Sequence, residues 1–227
     1  MANKRFLLVL VILTLVLGSA FAQPTFRLSA GIGGFADIGT GGGYEASGAG
    51  QSTNVEVYMP AITGGGFAFF DATFAELSLG FSGGLGRSKD LSSGRIEDTD
   101  FSITNFNISL LGKYPFGITE KFTLFPLLGI EYQIMLSVKD EDGNEFRNPS
   151  GKELSSDFNS FWFKFGAGFD YSFTDQIYLR FSALYGFRLP NQFEKDMVDY
   201  LEQTPNVSGN VLLGQGLTAK LAVGYRF

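Results

Sequence analysis

The chain has 227 residues, a formal net charge of −6 and only 18% charged residues, yet it holds 30 Gly and 25 Phe. It contains no His and no Cys, which removes Ser-His-Asp catalysis, thiolate nucleophiles, the usual zinc ligands and any disulfide framework. No catalytic, cofactor-binding or metal-binding set is expected, and the fold must rest on backbone pairing.

At the N-terminus, Lys4 and Arg5 precede an uncharged run of twelve residues from Phe6 to Leu17, and Ala20 and Ala22 form the small-x-small pattern of a cleavage site. The run is too short to span a bilayer as a helix. Residues 1–22 read as a secretory signal peptide removed before Gln23, and residues 23–227 as one domain. Past this segment no apolar run reaches eighteen residues, so any membrane crossing there must be made of strands.

Period-two patterning predicts eight such strands. The first, Thr25 to Ala36, sets Phe26, Leu28, Ala30 and Ile32 outward and Arg27 and Ser29 inward. In the second, Pro60 to Phe70, Gly64, Gly65 and Gly66 blur the phase, and Phe67 and Phe69 are assigned outward. The third, Phe74 to Gly86, turns Leu77, Leu79 and Phe81 out and Glu76, Ser78 and Ser82 in. The fourth, Thr104 to Phe116, opposes Phe106, Ile108 and Leu110 to Asn105, Asn107, Ser109 and Lys113. In the fifth, Phe122 to Leu136, Leu124, Leu128, Ile130 and Tyr132 oppose Glu131 and Gln133. The sixth, Phe161 to Phe173, has Phe163, Phe165 and Phe169 outward with Trp162, Lys164 and Asp170 inward. The seventh, Ile177 to Leu189, opposes Leu179, Phe181 and Tyr185 to Arg180, Ser182 and Arg188. The eighth, Leu217 to Phe227, alternates Leu217, Leu221, Val223, Tyr225 and Phe227 with Thr218, Lys220 and Arg226.

The connectors alternate in length. Asp71–Thr73, Gly117–Lys121 and Thr174–Gln176 are short, whereas 37–59, 87–103, 137–160 and 190–210 are long. Two of the short turns echo each other 55 residues apart, Thr119-Glu120-Lys121-Phe122 and Thr174-Asp175-Gln176-Ile177. A turn centred on Asp175 would set Asp170 opposite Arg180. Gly39 to Thr53 reads as a flexible Gly/Ser loop, and Asp142-Gly143 as a tight hairpin tip, since Val138 breaks the spacing of a calcium loop. After Asn191, a helix cap, Phe193, Met197, Val198 and Leu201 recur at helical spacing, which predicts a short helix against the barrel mouth.

Even strand number, short turns at one end and an apolar exterior describe an eight-stranded antiparallel transmembrane β-barrel. The closing Gly224-Tyr225-Arg226-Phe227 resembles the last strand of small bacterial outer-membrane barrels of the OmpX, OmpW and OmpA type. That resemblance implies short periplasmic turns, long extracellular loops, both termini in the periplasm, and Tyr225 and Phe227 read as an insertion signal by the barrel-assembly machinery. It implies outer-membrane lipids as surroundings and host or environmental ligands at the loops, with no nucleic acid among the partners. Structural and surface interaction, as an adhesin or surface antigen, is the expected role. A narrow pore or OmpW-like channel for small molecules is the alternative, and a secreted soluble barrel a third reading.

These phases set Arg27, Lys113, Lys164, Arg180, Arg188, Lys220 and Arg226 inside with Glu76, Glu131 and Asp170, a net +4. An eight-stranded barrel has room for little more than its own side chains. A packed ionic network is therefore expected inside, with an anion path as the competing reading.

Overall fold

The computed structural model describes residues 26–48, 55–90, 97–145 and 155–227; the signal peptide expected at residues 1–22 lies outside the described residues. Period-two alternation with a bulky apolar residue at every other position has produced strands long enough to cross a bilayer and pair on both sides. They are β1 (Ser29–Gly48), β2 (Val55–Asp71), β3 (Ala75–Asp90), β4 (Glu97–Lys113), β5 (Phe116–Gly117), β6 (Phe122–Asp140), β7 (Ser160–Ser172), β8 (Ile177–Arg188), β9 (Val207–Leu212) and β10 (Gly214–Arg226). Every pairing is antiparallel, and β1 closes the ring by pairing with β2 on one edge and β10 on the other, from Ser29↔Arg226 to Thr40↔Gln215. The short β5 carries the line of β4 onward along β6, and β9 pairs the outer part of β1 just before Leu213 and β10. The wall is thus a ring of eight strands. Closure leaves no edge, so every strand finds its backbone partners within the sheet.

The outside is an apolar belt. Ile32 is 71% exposed and Leu128 69%, while Phe125 and Tyr178 on the inner face are fully buried. At the end that carries the short turns, paired rings form a girdle: Phe74 with Tyr114, Tyr171 with Phe173, and Tyr225 with Phe227. Two of those turns are built alike. Thr119 Oγ1 accepts from the Phe122 amide at 3.0 Å, and Thr174 Oγ1 accepts from the Ile177 amide at 2.9 Å. The same side chain fixes both hairpin registers, Phe116↔Leu124 and Asp170↔Arg180.

At the opposite end, the mouth, the strands run further than periodicity indicated. β1 continues from Ala36 through Gly48, so residues 39–48, expected as flexible loop, are wall. A register shift between Thr40 and Gly43 interrupts its pairing with β2, and Gly42 sits there at φ +84°, a conformation that favours glycine. β6 reaches Asp140, where the Asp142-Gly143 tip closes with Gly143 at φ +83° and the Asn144 amide bonded to Asp140 Oδ1 at 2.8 Å. The connector 190–210 is mostly ordered structure: helix α1 (Gln192–Glu202), then β9. Asn191 and Glu194 make the reciprocal capping box that starts α1. Its Val198 packs with Tyr44 and Val57, and Phe193, Met197 and Leu201 lie against that cluster.

One strand is in the opposite phase to that expected. Phe67 and Phe69 point inward, 8% and 4% exposed, and Phe70 faces out. The cause is Asp71: it is buried in the lumen among bases, and with a period of two Phe69 and Phe67 must then share its side.

Candidate functional site: the barrel lumen

The inner face falls into two halves. Toward the turn end it is filled by charge. Arg180, carried by β8, donates from Nε and Nη2 to the two Asp170 oxygens at 2.8 Å each, from Nη1 to Glu76 at 2.6 Å, and from Nη2 to Asp71 at 2.6 Å. Lys113 pairs with the same Asp71. The guanidinium lies 4.9 Å from the Phe69 ring centroid, 5.1 Å from Phe125 and 5.2 Å from Tyr178. Four elements of the wall, β2, β3, β7 and β8, are therefore tied to one side chain. The aromatic rings and three carboxylates stand in for the hydration that a buried guanidinium loses. Arg226 caps this layer, 3.9 Å from Asp170, bonded to Ser172 at 2.7 Å and lying 4.3 Å from the Tyr178 ring.

A second layer crosses mid-barrel. Lys164 Nζ donates to Glu131 at 2.7 Å and to Thr218 at 3.0 Å, and lies 3.6 Å from Asp37 Oδ1. Lys220 lies 5.2 Å from the Phe67 ring and 3.5 Å from Ser78 Oγ, and shares a small cleft with Glu131. Above this layer, toward the mouth, opens a cavity of about 210 Å³. Tyr44, Val57, Met59, Ile103, Met135, Val138 and Trp162 give it apolar walls, and Phe158 and Phe193, stacked at 4.6 Å, stand at its rim. Beside Ala61, Thr63 and Gly65 of β2 the inner face of β3 carries only small residues, Ser82, Gly84, Gly86 and Ser88. An ideal Cβ on Gly65 would overlap the Phe81 carbonyl oxygen, so the close approach of these strands requires glycine.

At the mouth Arg188 pairs with Glu194, which is fully buried in the first turn of α1. Burial pushes the Glu194 carboxyl up from its ordinary value, against the pull of Arg188.

Of the ten residues expected in the inner network, Glu76, Lys113, Glu131, Lys164, Asp170, Arg180, Arg188, Lys220 and Arg226 line the lumen in these three groups. Arg27 does not. It precedes β1 on the exposed rim, where its backbone bonds Thr73 Oγ1, because the strand starts at Ser29, four residues later than its alternation suggested. Three acids were missed: Asp37 and Asp71, assigned to connectors, and Glu194, assigned to an acidic outer loop. With these included and Arg27 removed, six bases face six acids among the described residues. The expected net charge of +4 inside is corrected to zero.

A family model described as outer membrane protein beta-barrel domain matches residues 8–227. Among solved structures the fold is similar to the outer membrane protein OprG from Pseudomonas aeruginosa, at 12% identity, 91% of this chain, 98% of that chain and a TM-score of 0.49. It is also similar to Neisserial surface protein A, at 14% identity over 89% of this chain and 97% of that one, with a TM-score of 0.43. A further likeness is the outer membrane protease OmpT from Escherichia coli, at 8% identity, 90% and 99% coverage and a TM-score of 0.45. No curated protein sequence matches the chain.

Proposed function

The chain belongs to the outer membrane protein beta-barrel domain family, and from that premise we propose a structural and surface-interaction role, carried out at its mouth, with the lumen closed. The observation that carries this reading is the Arg180 layer, in which one guanidinium joins Asp170, Glu76 and Asp71 across the bore. A path for ions or solutes would have to break those pairs. The anion-path reading drew on an excess of inner positive charge, and the six matching acids remove that argument. A soluble ligand-binding barrel is at odds with the exposed apolar belt of Ile32, Phe81, Leu85 and Leu128.

In this proposal the mouth, with its longer strands, α1 and the acidic tip around Asp142, faces the outside, and the short turns and both termini face the periplasm. Tyr225 and Phe227, exposed at the end of β10, serve as the signal read by the barrel-assembly machinery. Surface partners meet the mouth loops, and the chain acts without catalysis, since it holds no His to serve as a general base. Protease shaving of intact cells tests the arrangement. Cleavage within residues 141–145 and protection of the turn at Asp71–Thr73 are expected. Cleavage of the mouth only after the outer membrane is opened would overturn it.

A further inference from the structure

We propose that the mouth cavity is a binding site for a small neutral amphipathic molecule, an aryl alcohol or phenol, with its hydroxyl on the cavity floor. Two independent observations meet there. The first is space, about 210 Å³ with apolar walls. A dry engineered cavity of about 150 Å³ already admits benzene, so one ring with a short substituent fits. The second is a set of buried polar atoms on the floor with no partner among the described residues: Asp37 Oδ2, Thr63 Oγ1 and Asn105 Oδ1.

These three belong together. Asp37 and Thr63 are register partners on β1 and β2, and between Thr63 and Asn105 β3 presents only Gly84 and Ser82 inward. Thr63 is 7% exposed and Asn105 1%, so bulk water does not solvate them as it would a surface group. A buried polar atom left unpaired is costly, which favours a ligand that completes it. Two of the three atoms, a carboxylate oxygen and an amide oxygen, can only accept, so the ligand must donate.

The charge of the head follows from the layer beneath. Asp37 and Glu131 are already balanced by Lys164 and Lys220 around the same floor. An added ammonium would be an uncompensated charge in a low-dielectric pocket, and a carboxylate on the floor would face the Asp37 carboxylate and the Asn105 amide oxygen, with only the Thr63 hydroxyl of the three able to donate to it. A hydroxyl donates to the floor at no such cost. The aromatic body then lies among Tyr44, Met59, Met135 and Trp162.

Trp162 is the only Trp in the chain and its indole is held in place by a 3.0 Å bond to Gln133, so it reports directly on the cavity. The full chain, folded in lipid vesicles, should show a saturable change in Trp fluorescence with 2-phenylethanol. Ethylbenzene and phenethylammonium should each bind at least tenfold more weakly, and Thr63→Val should weaken 2-phenylethanol several-fold. Ala61→Phe fills the cavity and should abolish saturation while circular dichroism still reports a folded barrel. Non-saturating partition in the wild type, equal binding of ethylbenzene, tighter binding of phenethylammonium, or saturation that survives Ala61→Phe would each overturn the proposal. It stands apart from the closed lumen: a conducting barrel that bound the probe would leave it intact, and a closed barrel that did not would end it.

Discussion

Asp170 faces Arg180 directly across the β7–β8 hairpin, and two donor nitrogens of the guanidinium meet its two oxygens at 2.8 Å. The pair is one arm of a hub, because Arg180 also holds Glu76 and Asp71. Arg180→Gln leaves three buried carboxylates short of a counter-charge and should cost about 3–5 kcal/mol, the usual range for breaking a buried pair from one side. Asp170→Asn should cost less, since Arg180 keeps two acids. Urea titration of the variants in lipid vesicles gives the order; Asp170→Asn costing as much as Arg180→Gln would show that Arg180 is not the centre.

The phase of β2 makes a separate prediction. Phe67 packs inside against Phe35, Phe69 and Ala222, whereas Phe70 faces out. Phe67→Ala should therefore cost about 3–5 kcal/mol, as for a buried aromatic, and Phe70→Ala far less. Equal losses in the same titration would mean that Phe67 is not in the core.

On the lipid face, Leu221 stands outward on β10 between inward Lys220 and Ala222. Leu221→Arg should cost on the order of 2–4 kcal/mol if it lies near the bilayer midplane. No loss on refolding into vesicles would reverse the assignment of that strand's faces.

The docking of α1 should depend on pH. A carboxyl such as Glu194, whose folded value is raised by burial, favours the docked state most below its unfolded value of about 4.3. That contribution is lost as pH rises through the folded value. Amide exchange in α1, corrected for intrinsic rates, should be slower at about pH 4 than at about pH 7, and Glu194→Gln should flatten the difference. Wild-type protection that increases from the acidic to the neutral condition would contradict the direction of the shift.

Much of this was legible in the chain because lipid imposes an apolar residue at every second position, and on seven strands that signal fixes which face is which. β2 escaped it: Gly64, Gly65 and Gly66 carry no side chain, and the deciding residue, Asp71, had been read as part of a turn. Counting back from Asp71 in steps of two would have set Phe69 and Phe67 inside. Asp37 was hidden for a related reason. The Gly-rich stretch after Ala36 has the composition of a linker, yet inward Gly39 and Gly41 belong to the wall, where neighbouring backbone comes too close for a Cβ. Glu194 looked like one more acid in an acidic loop. Its spacing from the Asn191 cap was the available clue, since the third helical residue of a capping box turns back toward the helix start, and here it meets Arg188. The ion pair at Asp170 and Arg180 was readable because a short turn with a Thr at its start fixes register.

The closed lumen is tested most directly by single-channel recording of the folded chain in planar bilayers. The Arg180 layer predicts no stable conductance steps from the wild type. A steady ohmic conductance at low applied voltage would contradict it and return the protein to the class of pores.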